Sequence, residues 1–78
     1  MLIPQELIDQ AVADGIITLD RYLQLPDIDR VTMKYLFSAD GRQAVTDGII
    51  TLDRYLKIPW SDRVTMKYLF SVLSKLSH

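Results

Sequence analysis

Apolar residues recur along this chain at three- and four-residue intervals, interrupted by Gly, Pro and Thr, a pattern of short amphipathic helices rather than strands. In LIPQELIDQAVADG, Leu7, Ile8, Ala11 and Val12 share one helical face, Pro4 suits a first turn, and Glu6 favours the positive end of the helix dipole. The spacing predicts a helix from Pro4 to Ala13, closed by Gly15 in the left-handed conformation that ends a last turn. Thr18 then offers a capping hydroxyl and Asp20 a first-turn carboxylate, so a second, short helix is expected from Leu19 to Leu25, burying Leu19, Tyr22, Leu23 and Leu25. Past Pro26, DIDRVTMKYLFS predicts a third helix with a broad apolar stripe of Ile28, Val31, Met33, Tyr35, Leu36 and Phe37. Asp40 and Gln43 stand at capping-box spacing, which predicts a break near Ala39 and a helix to Thr46; the alternative is a single helix running through Gly41. The rest repeats the pattern: Gly48 as stop, Thr51 as cap, a short helix from Leu52 to Ile58, Pro59, and a last helix lengthened by Val72, Leu73 and Leu76. Ser77 and His78 are expected to fray.

The repetition is nearly literal. Ala11 to Ser38 and Ala44 to Ser71 align over 28 positions and differ at five: Ala13/Thr46, Gln24/Lys57, Leu25/Ile58, Asp27/Trp60 and Ile28/Ser61. Identity extending to polar positions such as Asp20, Arg21, Arg30 and Lys34 points to a recent or engineered duplication. Each unit carries more apolar surface than its short helices can bury alone, so the units must pack on one another, as stacked repeats do. The expectation is an all-α fold, one domain over 1–78 with internal repeats 11–38 and 44–71. Three helices per unit would pack about a pseudo-twofold axis at which Ile17 and Ile50 could meet. A linear stack would call for polar end caps, and neither end is distinctively polar.

One difference between the copies is large. Asp27-Ile28 against Trp60-Ser61 moves the apolar residue by one position, about 100° around the helix, so the two copies meet different surroundings there. Trp60 either fills an asymmetric gap in the core or, with Ile28, marks a candidate interface, where tryptophan is enriched among the dominant residues.

Composition narrows the chemistry. The 78 residues carry nine Lys or Arg against ten Asp or Glu, no Cys, and one His at position 78. A disulfide framework and a thiolate zinc site are excluded, and histidine-based acid–base or metal chemistry has little to work with. A chain this small needs a staple, and packing and oligomerisation remain. Nothing approaches the roughly 20 apolar residues of a membrane span, and Met1 to Pro4 lacks the basic start and apolar stretch of a signal peptide, so a cytoplasmic location is expected.

The junctions at Gly15 and Thr18, and at Gly48 and Thr51, invite two comparisons. ADGIITLDRYL and TDGIITLDRYL resemble the back half of an EF-hand or dockerin calcium loop. With Gly15 and Gly48 as the loop glycines, the ligand positions hold Gln10, Val12, Asp14 and Arg21, and Gln43, Val45, Asp47 and Arg54, where calcium needs oxygen donors. The resemblance therefore implies an EF-hand-like module without calcium. The same junction is similar to part of the tandem cyclic-di-GMP-binding motif of secretion and pilus ATPases, but Glu6-Leu7-Ile8 and Ala39-Asp40-Gly41 stand where that motif opens with Arg-Leu-Gly.

No Ser-His-Asp set, glycine-rich phosphate loop or ligand cluster occurs, so neither an enzyme nor a cofactor is expected. Arg30 with Lys34 and Arg63 with Lys67 are like charges one turn apart, a candidate pair of basic stripes for a nucleic-acid-binding regulator. Asp27, Asp29 and Asp62 lie beside them and dilute the field. The favoured expectation is a small helical structural or protein-interaction module, self-associating or bound to a protein partner, with nucleic acid and membrane disfavoured.

Overall fold

Among the described residues six helices follow one another: α1 (Gln5–Ala13), α2 (Leu19–Gln24), α3 (Asp27–Phe37), α4 (Ala39–Thr46), α5 (Leu52–Lys57) and α6 (Trp60–Ser77). The structure, a computed structural model, describes residues 3–77; Ser77, expected to fray, is the last residue of α6, and His78 lies outside the described residues. No strand occurs among them. Their ends are set by the expected junction residues. Gly15 and Gly48 both have φ +76°. At the first, the amide of Gly15 bonds the Val12 carbonyl at 3.1 Å and that of Ile16 the Ala11 carbonyl at 2.9 Å, the paired bonds of a Schellman closure. Thr18 and Thr51 accept the amides of Arg21 and Arg54 at 3.2 Å and so cap α2 and α5.

One cap differs from expectation. The break between α3 and α4 is made by Ser38, whose hydroxyl accepts the Gly41 amide at 3.2 Å and donates to the Tyr35 carbonyl at 2.7 Å. With Ser38 as cap, Asp40 falls inside the first turn, where it meets the dipole but cannot cap. Ser71, the same residue in the second copy, lies inside an unbroken α6. Gly41 allows the fold-back at Ser38: a Cβ there would stand 2.3 Å from the Tyr35 carbonyl oxygen and 2.4 Å from that of Leu36.

α3 lies at the centre, with α1, α4 and α6 packed against it and α4 packed along α6. Ala11, Met33, Leu36, Phe37, Tyr55 and Phe70 form the innermost core. The ring pair Tyr22–Phe37, 6.0 Å between centroids, recurs as Tyr55–Phe70 at 6.2 Å. Burial is less even than periodicity suggests. Leu19, Leu23, Ile28 and Val31 face solvent, while Thr32 is buried.

The halves do not meet as a twofold axis would require. Asp29 pairs with Arg63 and Arg21 with Asp53. Their mirror images would be Asp62 with Arg30 and Arg54 with Asp20, yet Arg30 pairs with Asp27, and Asp20, Arg54 and Asp62 have no ion-pair partner among the described residues. The second half sits on the tail of the first through different residues on each side.

Candidate functional site

The joint between the halves is built on one turn of α3. Arg63, buried at the start of α6, donates through Nη1 to Asp29 Oδ1 at 2.5 Å and to Thr32 Oγ1 at 3.0 Å. Its Nε and Nη2 donate to the carbonyls of Ile58 and Leu56, each at 2.8 Å. The Tyr55 hydroxyl donates to the Thr32 carbonyl at 2.7 Å, and the guanidinium lies 5.7 Å from the Tyr55 ring centroid. Burial pushes the Tyr55 phenol well above its ordinary pKa of 10.0. At the rim, Arg21 bonds Asp53, and that bond and charge hold the Asp53 carboxyl below its ordinary value.

This turn exists twice, and only one copy is covered. Leu36 is 0% exposed; Leu69, the same residue in α6, is 50% exposed. Thr32 and Met33 are buried, whereas Thr65 is exposed and Met66 half-buried. Thr65, Tyr68, Leu69, Val72 and Leu76 recur at helical spacing on one face of α6, and all are exposed. Beside them is an open cavity of about 220 Å³ bounded by Ile50, Arg54, Ile58, Met66, Leu69 and Phe70. The corresponding first-half residues include the fully buried Met33, Leu36 and Phe37.

On the first unit the other side of the joint is uncovered. Tyr22, Arg30, Val31, Ile8, Ile3 and Asp27 line a groove of about 510 Å³. Tyr22 and Arg30 are the counterparts of the clamping Tyr55 and Arg63. Leu19, which lines a separate open pocket with Val12, Ile16 and Arg21, and Leu23 are also exposed, while Leu52, the counterpart of Leu19, is buried.

The sequence candidates fall as follows. Trp60 is more than half exposed at the start of α6, so it fills no gap in the core, and Ile28 is exposed at the start of α3. The four cations do not form two matched stripes. Arg63 is buried in the joint, Arg30 is held by Asp27, and Lys34 and Lys67 both approach the Tyr35 ring, at 5.1 and 5.6 Å. Gly15, Thr18, Gly48 and Thr51 act at the junctions as the sequence suggests. Asp14 takes bonds from Gln10 and Arg42, and Asp47 from Gln43, so the loop acids are engaged by neighbours. Among the described residues no three His, Cys, Asp or Glu side chains gather as a metal site would need, and no helix is long and apolar enough to cross a membrane. The joint and the two open surfaces were missed from sequence. Their signal was the repeated sequence itself, since the same residues are covered in one half and bare in the other, as Leu36 and Leu69 show.

No protein-family model, curated protein or solved structure matches the chain.

Proposed function

We propose that this chain is a small, non-catalytic helical interaction module, made by tandem duplication, that completes its burial by associating with further copies of itself. One observation carries this: α3 buries Thr32, Met33, Leu36 and Phe37 within the chain, and of their copies on α6 Thr65 and Leu69 stand exposed and Met66 half-buried, with Tyr68, Val72 and Leu76 exposed beside them. An identical sequence is apolar there because it is made to be covered, and exposed apolar patches of this kind mark interaction sites. Two surfaces that already fit one another inside the molecule are each left open at its ends, which favours self-association over an unrelated partner. Sedimentation equilibrium of the full chain tests the proposal. An average mass rising with concentration is expected, and a strict monomer at millimolar concentration would overturn it.

A further inference from the structure

The internal joint specifies how two copies would meet, and the following rests on the self-association just proposed. We infer that the bare face at the start of α6 seats in the groove at the head of a second copy, so that molecules join head to tail through a repeat of the contact between their own halves. Inside the chain, Arg63 and Tyr55 clamp Asp29 and Thr32. Across molecules the corresponding clamp is Arg30 and Tyr22 at the head of one copy on Asp62 and Thr65 at the tail of the next. A second pair follows the same rule: Arg21 holds Asp53 internally, and Arg54 at one tail would hold Asp20 at the next head. All four charges sit at the open ends, and the signs match.

Four residues that line the head groove, Ile3, Gln5, Ile8 and Asp27, differ from their counterparts Leu36, Ser38, Gly41 and Trp60, and two of them bear directly on the fit. Asp27 stands where the second unit has Trp60 and engages Arg30. That pair lies at the surface, with Asp27 90% accessible, and surface pairs contribute little, so exchanging Asp27 for Asp62 is nearly neutral. Ile8 stands where the second unit has Gly41, whose missing Cβ lets α4 approach the end of α3. A docked α6 must stand off at Tyr68 and Leu69, the copies of Tyr35 and Leu36, which leaves the closest contact to Asp62 and Thr65 one turn and more away. The joint between molecules is therefore weaker than the one within, and reversible. Since head and tail are different surfaces, the association does not close at a pair.

Charge reversal decides it. Arg30→Asp places like charges in the joint, and so does Asp62→Arg; each variant alone should lose concentration-dependent association, with helical content unchanged by circular dichroism. Mixing the two variants restores opposite charges at every joint and should restore wild-type association. Asp27→Asn, which releases Arg30, should tighten it several-fold. If the wild type associates but the single variants associate as well as it does, or their mixture stays dissociated, the head-to-tail joint is wrong while self-association stands. If the wild type is monomeric at millimolar concentration, both fail.

Discussion

At the residue scale, one arginine in two settings shows how little identity of sequence fixes energetics. Arg63 is buried and makes four hydrogen bonds, to Asp29, Thr32, Leu56 and Ile58. Arg30, its copy, has a surface partner only. Removing one member of a buried pair strands the other, which costs about 3–5 kcal/mol, whereas losing an exposed pair costs about 0–1. Arg63→Ala should therefore lower stability by several kcal/mol in urea unfolding and Arg30→Ala by less than about 1; equal effects would contradict the placement of the joint. Tyr55 gives a pH signature. Its neutral phenol is favoured by burial, so the folded chain holds that proton more tightly than the unfolded chain, whose tyrosine titrates near 10. The contribution is intact below pH 10 and is lost as pH rises above it. Tyr55→Phe should flatten this alkaline loss in melting temperature, while forfeiting about 1 kcal/mol from the bond to Thr32 at neutral pH.

Among the elements, the two connections that follow the third helix of each unit diverge most. α3 breaks at Ser38 and folds back into α4; α6 runs through Ser71. Gly41 separates the cases, because only a residue without a Cβ lets α4 lie against the last carbonyls of α3. Gly48 serves differently, through its positive φ in open space. Gly48→Ala should cost about 1–2 kcal/mol of left-handed strain. Gly41→Ala forces backbone apart from backbone and should cost more, at or above the roughly 1–3 kcal/mol of an overpacked core. Thermal melts of the two variants rank them. The junctions were legible in the sequence because Gly15, Thr18, Gly48 and Thr51 act on their own neighbours. Six helices, including the lengthened last one, followed from the spacing. What escaped was set by partners distant in sequence. Thr32 is buried because Arg63 and Tyr55 bond it, Leu19 is exposed although Leu52 is not, and the capping hydroxyl is that of Ser38 because Gly41 brings α4 onto α3.

For the whole molecule, one joint holds the halves together, and the α6 face around Leu69 and the groove around Tyr22 and Arg30 remain uncovered beside it. The chain measures 33 × 27 × 21 Å, and little of it is far from an end. Burial of Leu36 against exposure of Leu69 is the consequence in one pair of residues. The candidate surface was not legible beforehand because a sequence repeat fixes neither whether units meet about an axis or in a line, nor which faces stay open. Amide chemical shifts followed over a concentration series address this most directly. The account predicts concentration-dependent shifts at two separate places, the α6 face around Asp62, Thr65 and Leu69 and the head groove around Tyr22 and Arg30, with Thr32 and Leu36 unmoved. Shifts confined to one of those surfaces, or none up to millimolar concentration, would contradict it.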